Sequence, residues 1–133
     1  VPSRWDEAFK IADQLAAAHE AGHGWRDMAI LCRRPDALTE CSRVLAARGL
    51  PRQLCEEAAH YDPAADGIRL MPMQAAKGLD FAVVALQGVG QMPERGEDPA
   101  DEARLFYLAA TRAKERLVVT ASEDGPFVRA LAG

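Results

Sequence analysis

The feature that most constrains this chain is a series of short, nearly unbroken apolar runs. They are Met28 to Cys32 (MAILC), Ile68 to Met73 (IRLMPM), Val83 to Leu86 (VVAL) and Leu117 to Thr120 (LVVT). Strands without polar alternation are buried on both faces, which a parallel sheet covered by helices on each side achieves. The stretches between the runs carry the helical period. Trp5, Phe9, Ala12, Leu15 and Ala16 follow a Ser3–Asp6 pair that resembles a capping box, and Gly22 and Gly24 end that helix. A turn at Arg34-Pro35-Asp36 opens a second helix, with Leu38, Cys41 and Leu45 on one face and Gly49 as its stop. Pro51 to Leu54 reads as a short strand, Glu56 to Gly67 as a loop, AAKGLDF as a turn or a single helical turn, and Gly88 to Pro99 as an exposed loop. Asp98 caps a third helix, with Pro99 at its first position and Asp101 and Glu102 in its first turn, and this helix runs to about Lys114. Phe127 to Leu131 reads as a short closing helix. Buried strands alternating with amphipathic helices predict one α/β domain with a mainly parallel sheet.

Composition agrees with that and narrows the partners. A length of 133 residues suits one domain, and 49% hydrophobic with 27% charged residues is ordinary globular usage. The net charge of −4 argues against a domain that grips nucleic acid alone through a broad basic face, while leaving room for a few contacts in a shared groove. No stretch approaches the roughly 20 apolar residues that span a bilayer. VPSRWDEAFK has no apolar centre and is not a signal peptide, and Val1 in place of Met suggests a chain processed or cut from something longer. Cys32, Cys41 and Cys55 are odd in number and form no CxxC pair, so they read as free thiols in a reducing, cytoplasmic compartment.

In an open parallel sheet, ligands bind beyond the carboxyl ends of the strands. Polar residues cluster at three places assigned to such ends: Arg33 and Arg34 after MAILC; Gln74, Lys77 and Asp80 after IRLMPM; and Thr111, Arg112 and Lys114 before LVVT. Cations gathered near one sheet edge suit an anion, because the planar guanidinium fork bonds two oxygens at once. Spacing alone favours solvated surface residues. There is no GxxxxGK[ST] phosphate loop, GxGxxG, GxSxG or HExxH, and His19, His23 and His60 stand beside no nucleophile and read as surface residues.

From Gly67 onward the residues become specific. GIRLMPMQAAKGLDFAVVAL resembles motif V of the superfamily 1 helicases of the UvrD/Rep type, an apolar strand, then T-x-H-x-A-K-G-L-E-F, then another strand. DEARLFYLAATRAKERLVVTAS resembles their motif VI, with its core E-x-R-L-x-Y-V-x-x-T-R-A, and MAILCRRPDALTECSRVLAARGLP is similar to motif IV. The resemblance places motif IV at about 28–51, motif V at about 68–87 and motif VI at about 101–120. It implies that residues 1–133 form a three-layer, RecA-like (P-loop NTPase-like) second motor domain without its own phosphate loop. In that family ATP and Mg2+ sit between two such domains, mostly on the first, and single-stranded DNA runs across both. The implied partners are therefore DNA and an N-terminal RecA-like domain of the same protein, with no membrane, and this chain alone should hydrolyse no ATP.

Carried over by position, Arg112 matches the arginine finger and Arg33 the motif IV arginine that reaches the γ-phosphate. Asp80 falls where the family has a Glu near the ribose, and Lys77 and Gly78 match the K-G that shapes the motif V turn. Glu102, Arg104 and Tyr107 match the start of motif VI as structural and coupling residues. Gln74, with Lys77, stands on the DNA side, where Gln74 replaces the family's His and Pro72 its Thr. Proline offers neither a hydroxyl nor an N–H donor, whereas Gln74 still donates to a phosphate. Only the Glu56 to Gly67 loop fills the gap in which the family often inserts an accessory domain. Two other readings stand beside this one: a degenerate RecA-like nucleotide- or partner-binding module, and an unrelated small α/β ligand-binding protein.

Overall fold

The computed structural model describes residues 4–56, 60–88, 92 and 96–119. The chain runs α1 (Arg4–Glu20), a 3-10 turn (Trp25–Asp27), β1 (Met28–Cys32), α2 (Pro35–Ala47), β2 (Arg52–Leu54), β3 (Ile68–Pro72), a second 3-10 turn (Met73–Ala76), β4 (Phe81–Gln87), α3 (Pro99–Ala110) and β5 (Ala113–Val119). The five strands form one sheet in the order β2-β3-β1-β4-β5, every pair parallel. β1 is central and all five of its residues are buried, as its unbroken apolar sequence requires.

Side chains alternate across that strand and so define the two layers. Met28, Ile30 and Cys32 point to the face covered by α1 and α2, where they meet Ile11, Leu15, Leu38 and Leu45. Ala29 and Leu31 point to the opposite face, toward Met71, Met73, Ala76 and Ala109. The helix stop expected at Gly49 is a Schellman closure, with Gly49 N–H bonded to the Ala46 carbonyl at 3.0 Å and Leu50 N–H to that of Leu45 at 2.9 Å. Asp98 caps α3 as its sequence predicts, its carboxylate accepting from the Ala100 N–H at 2.8 Å.

Three expectations change. α3 stops at Ala110, not near Lys114, and β5 begins at Ala113 rather than Leu117. Ala-Lys-Glu-Arg favours helix locally, but pairing with β4 from Phe81↔Ala113 onward claims this stretch for the sheet. β4 is also longer than VVAL, spanning Phe81–Gln87 with a register shift between Phe81 and Val83. Finally, Arg69 inside the β3 run is a buried cation, 1% exposed. Its guanidinium donates to the carbonyls of Asp62, Pro63, Ala65 and Gly67, and lies 5.4 Å from the Tyr61 ring, so it folds the preceding loop against the sheet. The Ser3 cap, the end of the LVVT strand at Thr120 and the closing helix over Phe127 to Leu131 lie outside the described residues.

Candidate functional site

The expected single cluster of cations is divided between the two edges of the sheet. A residue that follows a strand sits at its carboxyl end and one that precedes a strand sits at its amino end. Arg33 follows β1, whereas Asp80 precedes β4 and Arg112 precedes β5. α3 runs back against the strands, so its last turn delivers Thr111 and Arg112 to the amino edge. That corrects the assignment of Arg112 and Lys114 to a strand's carboxyl end. Glu102 and Arg112 are ten residues apart, which at 1.5 Å per helical residue is about 15 Å along α3.

At the carboxyl edge, Arg33 is held firmly. Its Nε donates to both Glu102 oxygens at 3.0 and 3.1 Å, and its Nη2 donates to Oε2 at 2.9 Å. The arginine side chain is 16% exposed and the glutamate 4%. Glu102 lies in the first turn of α3, where the helix dipole favours the ionised carboxylate. The Arg33 N–H bonds the Gln87 carbonyl at 3.1 Å, which ties the ends of β1 and β4 together. Gly88 follows at φ +91°, and a Cβ there would stand 3.1 Å from the Arg33 Cβ, so only glycine gives the arginine this path. The Gly88 N–H is in turn accepted by the buried Glu7 carboxylate of α1 at 3.1 Å. The sequence offered no signal for Glu7 or Gly88: they are 81 residues apart and neither belongs to a motif.

At the amino edge, Arg112 is held by weaker contacts. Nε donates to the Leu108 carbonyl at 3.1 Å, Nη1 to that of Leu79 at 3.5 Å, and Nη2 to the Thr111 hydroxyl at 3.4 Å. Asp80 Oδ1 stands 3.8 Å from Nη1, with 56% of that side chain exposed. The Phe81 N–H bonds the Arg112 carbonyl at 2.9 Å, so the backbone itself joins the segment before β4 to the end of α3. Gly78 takes φ +81°, a left-handed turn that lets the chain leave the 3-10 turn and reach β4.

Gln74 and Lys77 sit on the outer side of the second 3-10 turn, exposed, while Met73 and Ala76 are buried beneath it. With three residues per turn, positions three apart share a side, which separates the two pairs. Gln74 also lines a groove of about 280 Å³ with Pro35, Leu38, Thr39, Leu54, Glu56 and Pro72. Among the described residues, no group of three His, Cys, Asp or Glu side chains is placed to hold a metal ion. The donors present are guanidinium, amide and backbone N–H groups, which suit the oxygens of an anion.

The sequence profile of the UvrD-like helicase C-terminal domain matches residues 54–124, just over half of the chain. The chain belongs to that family. The UvrD-like domain is 40% identical over 65 residues to a probable DNA helicase II homolog of Mycoplasma genitalium, a match covering 42% of this chain and 9% of that relative. It is 34% identical over 64 residues to the ATP-dependent DNA helicase PcrA of Staphylococcus epidermidis, covering 41% of this chain and again 9% of the relative. The chain therefore corresponds to a small part of these proteins' length. Its fold matches the C-terminal domain of a possible DNA helicase from Lactobacillus plantarum WCFS1 with a TM-score of 0.72 and 23% identity, over 92% of this chain and 71% of that one. Family and fold together set aside the reading as an unrelated small α/β ligand-binding protein.

Proposed function

We propose that residues 1–133 are the second motor domain of an ATP-dependent DNA helicase or translocase, which supplies an arginine to an ATP cleft and part of a single-stranded DNA track. The contact that carries this reading is the meeting of Asp80 and Arg112, at 3.8 Å, from two segments 32 residues apart in the chain. In the proposed cleft Asp80 faces the ribose, Lys77 and Gly78 shape the turn beside it, and Arg112 addresses the phosphates; Arg33, matched by position to a γ-phosphate arginine, stands at the opposite edge of the sheet and outside that cleft. Charge shifts onto phosphoryl oxygens during transfer, and an arginine supplied across a cleft is worth about 10³–10⁵ in rate. Arg112 suits that task because its Nη1 and Nη2 contacts are long and part of its side chain is open, so an anionic oxygen can displace them. Gln74 and Lys77 donate to the DNA backbone, and the phosphate loop and Mg2+ carboxylates belong to the N-terminal motor domain of the same protein. No helix among the described residues is long and apolar enough to cross a membrane, and three buried free thiols suit a cytoplasmic setting.

The test is DNA-stimulated ATP hydrolysis by the full-length parent, with Arg112 and with Arg112→Ala. Turnover should fall by about 10³-fold or more while nucleotide affinity falls far less, because the finger acts mainly in the transition state. Equal losses in both would mark Arg112 as a general binding residue, and turnover that ignores DNA or the substitution would remove the motor reading.

A further inference from the structure

We infer that Asp80 exchanges partners: its carboxylate holds the Arg112 guanidinium, and gives it up to a phosphate when a sugar hydroxyl takes the carboxylate. The inference rests on the proposed function, in which Asp80 faces the ribose and Arg112 the phosphates. It adds that the two contacts of Asp80 compete. Among the described residues Arg112 is the one polar partner of the Asp80 side chain, with Oδ1 at 3.8 Å from Nη1. At that distance no hydrogen bond forms, so the pair rests on charge alone. The carboxylate is 56% exposed and the arginine side chain 23%, so water screens the attraction and the pair is weak enough to exchange. Nη1 has one further contact, with the Leu79 carbonyl at 3.5 Å. Nε, by contrast, donates to the Leu108 carbonyl at 3.1 Å. The guanidinium is therefore anchored to the last turn of α3 through Nε, and its Nη1 end is the one left to Asp80.

The chemistry of the two partners permits the exchange. A carboxylate only accepts hydrogen bonds and a ribose hydroxyl can donate, so the sugar can stand in for the guanidinium. A hydroxyl bonded directly to the carboxylate makes a charge-assisted hydrogen bond, which is stronger than a screened pair at 3.8 Å. The backbone stays in place meanwhile. The Phe81 N–H bond to the Arg112 carbonyl at 2.9 Å locks the two segments together, so only the side chains need to move. A carboxylate already engaged by the sugar attracts Nη1 less, and recognition of the sugar thereby eases the passage of Arg112 to a phosphate.

The experiment measures binding rather than turnover. ADP and its 2′,3′-dideoxy analogue are titrated into the full-length parent and into its Asp80→Ala, Arg112→Ala and combined variants. The ratio of the two dissociation constants reads what the sugar hydroxyls contribute, because effects on the phosphates are common to both nucleotides and cancel. Removing Arg112 removes the competitor, so the preference for ADP should rise by about two- to fivefold, the worth of an exposed ion pair. Asp80→Ala should lower the preference, and in that background Arg112→Ala should no longer change it, since both act through one contact. A preference that stays the same or falls in Arg112→Ala would show that the two contacts do not compete, and would overturn the inference while leaving Asp80 at the ribose. If Asp80→Ala leaves the preference intact, the placement of Asp80 at the sugar fails first, and the inference with it. Should Arg112→Ala not fold, Arg112→Gln serves the same test, because it keeps much of the stem and removes the charge.

Discussion

The two layers that cover the sheet are built differently. On the α1/α2 side, Ala8, Ile11, Ala12, Leu15 and Ala18 of one helix and Ala37, Leu38, Cys41, Val44 and Leu45 of the other are all buried. On the other side α3 buries only Glu102 and Ala109, its Leu105 and Phe106 are half-buried, and Tyr107 is 71% exposed. The first layer is held along its flank by apolar area. α3 is held largely at its ends, by the Asp98 cap and the Glu102–Arg33 pair at one and by the Phe81–Arg112 backbone bond at the other. A helix fastened in that way keeps its position against the sheet while leaving a side uncovered, as the proposed half-site needs.

The largest expected effect tests this contrast directly. Leu45→Ala should destabilise the domain by about 2–5 kcal/mol, the range for a fully buried leucine. Leu105→Ala should cost about 1 kcal/mol, because that side chain is already partly in water. Urea unfolding of both variants measures the difference, and equal costs would mean that α3 is packed as tightly as its counterpart.

A smaller effect separates the buried thiols of the two faces. The contact with Cys41, reinforced by burial, holds the Cys32 thiol well above the ordinary range. Burial also raises Cys55 on the α3 side, but the nearby Arg69 guanidinium opposes it. Both groups are protonated in the native and unfolded chains below about pH 8.5, so their contribution to stability is fully present there. Above it the unfolded thiols ionise first, and stability should fall with pH by at most about 1.4 kcal/mol per unit for each thiol. Alkylation followed residue by residue should modify Cys55 before Cys32, and the reverse order would sink the ranking.

The smallest effect is local to α3. Asp98→Ala should cost about 1 kcal/mol by freeing the Ala100 N–H, and amide exchange should rise in the first turn of that helix ahead of any change in α1 or α2. Uniform exchange across all three helices would show that α3 is not fastened from its end.

The residues explain what could be read in advance. MAILC, the Gly49 stop and the Asp98-Pro99 start each act through neighbours a few positions away, and the structure carries all three where the sequence put them. The end of α3 misled because Ala113 to Arg116 favour helix until β4 offers them a partner. Arg69 was hidden in an apolar run, since a buried cation becomes legible only once four carbonyls gather around it. The candidate site was legible as a set of residues but not as an arrangement, because the edge of the sheet on which each falls depends on the direction of α3.

The periodicity and the motifs by themselves determined the order of most secondary elements, the α/β class and the family. Tertiary structure alone decided the strand order, the division of the arginines between two edges, and the pairing of Arg33 with Glu102 across 69 residues. Helices, turns and caps are settled by interactions within a few residues, which a sequence displays in its spacing. Contacts closed over such long loops exist only after the sheet has brought distant segments together, so no local pattern records them.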